Sequence, residues 1–334
     1  MIKQYVLGAM TALTVVAAST ASIAAEFPKK DLQGIIMWGA GGATDTVARA
    51  ITPMVEKQLG KDVVLVNKSG GTGAISTAYV ASRKSDGYTV LYGAENPQLH
   101  KVLNLSKIDY TDFYPVNILA HGIAVIVTNN DQPWNSLKEL VADAQKRPGE
   151  IKMGSTGPGG LPHVVGSLLQ SVTDYEVTSV PYGGEGPGLT ALLGGHVDFM
   201  PAGLSAAAEH IKAGRLKVLA VVNDSELSAL KGVAPITKDF PGFKKYLPWG
   251  PFYGVWVKRD TPDAVKAKLV AAYKEGAKSP KFIKMMQGRG NIMMNISGDE
   301  ADAFLKKWQS ITAWVLHEAG ATKSSPADFG ISKP

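Results

Sequence analysis

Two glycine-rich stretches, each between an apolar run and a helical pattern, hold the residues best suited to bind an anion. The first is Trp38-Gly39-Ala40-Gly41-Gly42-Ala43-Thr44, followed by Asp45, after Gly34-Ile35-Ile36-Met37. The second is Gly154-Ser155-Thr156-Gly157-Pro158-Gly159-Gly160, after Ile151-Lys152-Met153. Glycine lets the backbone adopt positive φ and come close to a ligand. The start of a helix offers unpaired N–H groups and a partial positive charge. Each stretch therefore reads as an anion cradle. Thr44, Ser155 and Thr156 add hydroxyl donors, and amides bind a carboxylate without any basic side chain. Two cradles far apart in sequence imply two lobes facing one anionic ligand. Asp45 reads as a cap for its own helix, because acids favour the first turn. Trp38 offers an apolar wall to the ligand, or a core residue. Glu95, in Gly93-Ala94-Glu95-Asn96-Pro97, follows a third apolar run. Ligands of parallel sheets sit beyond the carboxyl ends of the strands, so Glu95 is placed to meet a hydroxyl, an ammonium or a cation. The alternative is an exposed loop acid.

Other chemistries fit these residues poorly. A dinucleotide fingerprint needs G-x-G-x-x-G and an acid at the end of the next strand. Here Ala43 and Thr44 follow the glycines, and Asn67 stands where the acid belongs. A P-loop needs G-K-[ST], and neither stretch contains lysine. Ser155 lies outside a G-x-S-x-G elbow. An exported hydrolase or lyase using Ser155 and His163 remains the enzyme alternative, with His163 otherwise a ligand contact, a hinge contact or a packing residue. The 6 histidines are scattered, and His317-Glu318-Ala319-Gly320 lacks the second histidine of a zinc helix. No metal or cofactor is expected, and no catalytic residue is assigned.

The elements that must position these residues alternate strand and helix. Strands are expected at 35–37, 63–66, 89–92 and 123–127, with helices at 44–59, closed by Gly60 and kinked at Pro53, and at 74–82. A capping box of Ser136 and Glu139 opens a helix ending near Pro148. The pattern repeats with a helix from Leu161 to Ser171, a strand at 178–182, a loop Gly183-Gly184-Glu185-Gly186, and a helix to Leu193. Strands at 197–200 and 216–222 follow, with a helix at 206–213 between them. This alternation argues for parallel sheets covered by helices. Residues 247–256 read as extended, Thr261-Pro262-Asp263 starts a helix, and Ser297 with Glu300 reads as a second capping box. The terminal helices are expected to pack back on the first lobe. The chain then crosses between lobes near 120–125 and 245–255, giving one lobe from 26–122 and 250–334 and another from 123–249.

Of the 334 residues, 45% are apolar and 19% charged, a globular balance, and there is no cysteine. Residues 1–25 combine Lys3, an apolar stretch from Tyr5 to Ala18, and Ser22-Ile23-Ala24-Ala25. They read as a cleavable export signal, with a membrane anchor as the alternative. The expected location is the periplasm. The formal net charge is +6. It is scattered, without the aromatic-interleaved basic patch of a nucleic-acid binder. A mild positive balance favours an anionic partner or solubility alone.

At these positions the chain resembles the extracytoplasmic solute receptors of tripartite tricarboxylate transporters, the TctC or Bug family. Trp38 to Asp45 resembles that family's first binding loop, an aromatic followed by x-x-G-G-x-x-D. Val66-Asn67-Lys68-Ser69-Gly70-Gly71 resembles its E-N-[RK]-P-G-A-G element, with Val66 and Ser69 departing from Glu and Pro. Asp86-Gly87-Tyr88-Thr89 matches D-G-Y-T. Gly154-Ser155-Thr156-Gly157 and His163 resemble its second loop, and Val180-Pro181-Tyr182-Gly183-Gly184 and Leu192-Leu193-Gly194-Gly195-His196-Val197-Asp198 follow V-P-Y-x-G and L-L-G-G-x-V-D. The resemblance implies a type II periplasmic binding protein, with two doubly wound α/β lobes, a two-strand hinge and closure over the ligand. It implies a monomer that holds a small organic anion, whether a di- or tricarboxylate or an aromatic acid, by amides of both loops and often through waters. Delivery to the membrane subunits of such a transporter follows, with a sensor that contacts a signalling partner as the alternative. Ligand contacts are then expected from Trp38, Gly39, Ala40, Gly41, Gly42, Ala43 and Thr44, from Glu95 and Asn96, from Ser155, Thr156, Gly157, Gly159 and His163, and from Tyr182 and Gly203. One departure stands out. Many relatives carry Asp or Asn shortly after V-D-x-M, where this chain has Pro201-Ala202-Gly203.

Overall fold

A computed structural model describes residues 27–334. The export-signal reading of residues 1–25 lies outside them. In chain order the first elements are β1 (Leu32–Ile36), α1 (Ala43–Leu59), β2 (Val63–Asn67), α2 (Ala74–Ala81), β3 (Thr89–Ala94) and β4 (Phe113–His121). Then come β5 (Ala124–Asn129), α3 (Leu137–Lys146), β6 (Lys152–Ser155), α4 (Leu161–Gln170), β7 (Thr178–Pro181), α5 (Glu185–Leu193), β8 (Phe199–Gly203), α6 (Leu204–Lys212) and β9 (Leu216–Val221). The last are α7 (Ile236–Asp239), β10 (Phe252–Lys258), α8 (Asp263–Ala277), α9 (Pro280–Gln287), β11 (Ile292–Ile296) and α10 (Gly298–Glu318).

The strands form two sheets, ordered β11-β4-β10-β3-β1-β2 and β7-β6-β8-β5-β9. Both are mixed, which corrects the expectation of purely parallel sheets. β1 runs parallel to β2 and β3, and β6 parallel to β7 and β8. β10, β4 and β11 are antiparallel additions to the first sheet, and β5 pairs antiparallel with β8 and β9. β4 passes from the first sheet into β5 of the second through only Gly122-Ile123. Every residue of β5 is buried, as a strand between two neighbours and under helices requires.

The two crossings lie side by side. The Gly122 N–H donates to the Pro251 carbonyl at 2.7 Å, and Trp308 of α10 donates from Nε1 to the Gly250 carbonyl at 3.0 Å. Just inside this hinge, Tyr110 stacks on Trp256 with centroids 4.0 Å apart and planes 6° apart. Its hydroxyl donates to the Ala94 carbonyl at 2.5 Å. Aromatic contact of this kind is worth about 0.5–1.5 kcal/mol beyond area burial. It fixes the end of β3, from which Glu95 projects.

The expected helices form with small boundary shifts. α1 continues through Pro53 and ends at Gly60, whose φ of 65° is the left-handed stop that glycine favours. Pro262 is the N-cap of α8, one position before the first turn. The second capping box does not form. Ser297 is the N-cap of α10 without a side-chain cap bond, because its hydroxyl instead accepts from Asn117 Nδ2 of β4 at 3.2 Å. The first box is half made. Ser136 accepts from the Glu139 N–H at 3.2 Å, while Glu139 reaches back to the Asn135 N–H, not to that of Ser136.

Candidate functional site

The first loop leaves β1 and turns into α1 at Gly42, the N-cap. Its shape is held from behind. Asp45, third residue of the helix, accepts from the Gly41 N–H at 3.0 Å, from Arg49 Nε at 2.9 Å and from Asn67 Nδ2 at 2.8 Å. Asn67 also donates to the Trp38 carbonyl at 2.8 Å. Burial pushes the Asp45 carboxyl up, but the bonds from Arg49, Gly41 and Asn67 outweigh it and hold the pKa below the ordinary value. Asp45 thus ties the loop back at Gly41 without capping the helix, whose N-cap Gly42 receives no side-chain bond, and Asn67 braces the loop where a ribose-binding acid would stand. Gly41, at φ 80°, makes the turn that other residues resist.

The second loop leaves β6 and enters α4 at Gly160, the N-cap. Ser155 is buried, and its hydroxyl accepts from the Gly157 N–H at 3.2 Å. His163 Nδ1 accepts from the Gly159 N–H at 3.2 Å. Burial lowers the His163 pKa, so the ring is the neutral acceptor this bond needs. Ser155 and His163 each cap their own loop and do not bond to one another. Gly157 has φ 91°, and a side chain there would meet Thr72 Oγ1 at 3.1 Å.

A third loop, Gly183-Gly184-Glu185-Gly186 after β7, docks directly on the first. The Gly39 N–H donates to the Gly183 carbonyl at 2.9 Å. A Cβ on Gly186 would lie 2.1 Å from the Ala40 carbonyl oxygen. Glu185 then reaches across the lobes. Its Oε2 accepts from the Ala43 N–H at 3.2 Å, and its Oε1 from the Gly203 N–H at 2.5 Å. The first turn of α1, expected to hold a ligand anion, already receives a carboxylate of the other lobe at Ala43.

Between the loops lies a cleft lined by Trp38, Gly42, Ala43, Thr44, Ala94, Glu95, Asn96, Thr156, Leu161, Glu185, Pro251 and Tyr253. Asn96 is its crosspiece. It accepts from Trp38 Nε1 at 3.2 Å, donates to Glu95 Oε1 at 3.2 Å, and donates to the Gly159 carbonyl of the other lobe at 2.7 Å. Glu95 is 2% exposed, and its Oε2 meets no donor at hydrogen-bonding geometry. Burial, with a lesser push from the charge of Glu185, raises its pKa to about 8 against its own backbone amide, Asn96 and the Phe252 amide. Burial likewise raises Glu185 against the amides of Gly203 and Ala43. The buried Tyr253 hydroxyl also lacks a partner among the described residues. Burial, Glu185 and Glu95 hold it protonated.

Seven of the sixteen residues expected to contact the ligand line this cleft: Trp38, Gly42, Ala43, Thr44, Glu95, Asn96 and Thr156. The others stand behind or beside it. Gly39 and Ala40 meet the third loop, and Gly41, Ser155, Gly157, Gly159 and His163 shape the two cradles. Tyr182 donates its N–H to the Ser155 carbonyl at 2.8 Å, and Gly203 gives its N–H to Glu185. Sequence reasoning missed Glu185, Tyr253, Pro251, Leu161 and Ala94. A signal existed for Glu185, which follows a strand and two glycines just as Glu95 follows β3. Among the described residues no group of three or more His, Asp or Glu side chains could hold a metal ion.

Comparison with known proteins places this geometry. The model of the tripartite tricarboxylate transporter family receptor matches residues 47–313. Protein BugT of Bordetella pertussis is 28% identical over 312 residues, covering 91% of this chain and 95% of that one. The solved structure of the periplasmic binding protein BugD superposes with a TM-score of 0.83 at 28% identity, covering 89% of this chain and 100% of that one. An R. palustris protein solved with adipate superposes with a TM-score of 0.82 at 25% identity, covering 88% and 98%. Two α/β lobes with a cleft between facing glycine loops, together with these matches, show that the chain belongs to the tripartite tricarboxylate transporter receptor family.

Proposed function

We propose that the chain is a periplasmic solute receptor that closes over a small organic carboxylate and passes it to a membrane transporter, without altering it. The observation that carries this reading is the cleft itself. The starts of α1 and α4 face it from opposite lobes with Gly42, Ala43, Thr44 and Leu161, and two threonines, Thr44 and Thr156, line it. Helix starts and hydroxyls are donors, and donors converging on a small cleft hold an anion. The adipate bound by the R. palustris relative supports a carboxylate of this size. The lobes are assigned as 26–122 with 250–334, and 123–249, with export through the segment 1–25. A thermal-shift screen of small mono-, di- and tricarboxylates, aromatic acids and amino acids tests the reading. A compound bound to the folded state alone raises the melting temperature, and it is expected to be recovered unchanged. No shift by any organic acid, or conversion of the bound one, would overturn it.

A further inference from the structure

We infer that Glu95, Glu185 and Tyr253 form a subsite for a positively charged nitrogen, so that the ligand carries one carboxylate and one ammonium-type group and is not a dicarboxylate. This rests on the receptor reading above and narrows it.

The lining of the cleft contains two carboxyl groups and no Lys, Arg or His. Glu185 already supplies a carboxylate to the first turn of α1, through the Ala43 N–H. A second carboxylate from a ligand would lie beside it in a site screened from water, where like charges repel strongly. Among the described cleft-lining residues, the buried side-chain atoms left without partners are oxygens, Glu95 Oε2 and the Tyr253 hydroxyl. Tyr253 also abuts Gly203, whose added Cβ would lie 2.9 Å from its hydroxyl, so Tyr253 and Glu185 meet on the same side. An ammonium has three donors and no acceptor, which matches a carboxylate oxygen and a phenol oxygen on one wall. The Trp38 ring contributes an aromatic surface of the kind that favours cations. The ligand carboxylate is left to Thr44, Thr156 and the start of α4. Gly203, where this chain lacks a polar side chain, donates its N–H to Glu185 and so helps to place that carboxylate.

The proton balance sets the sign of the pH dependence. The titratable groups facing Glu95 are Glu185 at the start of α5, Tyr253 on β10 and Tyr110 before β4, none of them a base. With a pKa of about 8, Glu95 carries its proton in the unliganded cleft at neutral pH. Entry of an ammonium breaks the Glu95 O–H bond, the proton leaves to solvent, and an N–H···O⁻ bond forms. Affinity therefore rises with pH up to about 8, by at most about tenfold per unit. A dicarboxylate accepting a hydrogen bond from protonated Glu95 would show the reverse, weakening above that pH.

The test is isothermal titration of the wild-type chain at pH 6, 7, 8 and 9, in buffers of different ionisation enthalpy. The probes are L-α-amino acids and α,ω-amino acids from 3-aminopropanoate to 6-aminohexanoate, each compared with the dicarboxylate in which a carboxylate replaces the ammonium. The expected result is at least one amino acid binding tenfold or more tighter than its dicarboxylate counterpart. Its affinity should rise from pH 6 to 8 with proton release, and Glu95→Gln should remove that rise. Glu185→Gln, a second variant in case the first folds poorly, should narrow the preference. Tighter binding of the dicarboxylates, or an affinity for amino acids that falls as pH rises, overturns this inference and leaves the receptor reading standing. Binding by neither class overturns both.

Discussion

Glu95 makes a stability claim as well as a binding one. Its pKa is raised from 4.5 to about 8 by burial, so the folded chain holds a proton there that the unfolded chain has lost. Below about pH 4.5 both states carry that proton and the group costs nothing. Between about 4.5 and 8 the unliganded protein loses stability as pH rises, by up to about 1.4 kcal/mol per unit. Glu95→Gln keeps the shape and removes the charge. The expected outcome is a melting temperature raised at pH 8 and little changed at pH 4, read by calorimetry of the unliganded protein. An equal shift at both pH values would mean that Glu95 is ionised and compensated in the fold. At this scale the sequence was partly legible. Asp45 was legible in part, because its bond to Gly41 is local, four residues away, though that bond closes the loop and does not cap the helix. Glu185 did not, because its carboxylate is placed by an amide 142 residues away, and no local pattern encodes that distance.

The three glycine loops are the elements that turn two sheets into one site. Gly186 shows how closely they meet: its added Cβ would lie 2.1 Å from the Ala40 oxygen, 2.9 Å from the Gly41 carbonyl carbon and 2.9 Å from the Gly42 nitrogen. These are backbone atoms of the other lobe, so no rotamer change relieves the clash. Gly186→Ala is therefore expected to hold the lobes apart. Ligand affinity should fall about tenfold or more, equivalent to about 1.4 kcal/mol. The unliganded melting temperature should change little, because each lobe keeps its own core. Wild-type affinity in this variant would show that the third loop is not part of the closed site. Element identity was legible wherever an apolar run ended in glycine, as at β1, β3 and β6. It failed at β4, where Pro115 argues against an inner strand. There the chain tolerates proline because Pro115 faces Trp256 beside a register shift. α9 and β11 also went unseen. β11 is short, with Asn295 at φ 54° and a shifted register against β4, so it lacks a regular alternation. The Ser297 and Glu300 pair misled for a tertiary reason, since Asn117 claims the serine hydroxyl.

For the whole molecule, the two lobes are joined by the adjacent crossings, by loop contacts and by helices of opposite lobes, α1 against α6 and α10 against α4. The crossings, tied by Gly122 and Pro251, are where a hinge belongs. Polar contacts between the lobes include Asn96 to Gly159, Glu185 to Ala43, Gly39 to Gly183, and Arg289 to Glu209 and to the Ser205 carbonyl. A ligand that touches both lobes shifts the balance toward closure. The alternation of strands and helices made this two-lobed plan legible, while the depth and chemistry of the cleft depended on which loop tips face one another. The central claim is that one small carboxylate is held by both lobes at once. The most direct measurement is hydrogen exchange of individual amides, with and without the acid that most raises the melting temperature. Simultaneous protection of Gly42 and Thr44 in one lobe and of the residues from Thr156 to Leu161 in the other is the result expected. Protection confined to one lobe, or at neither loop, would contradict the account.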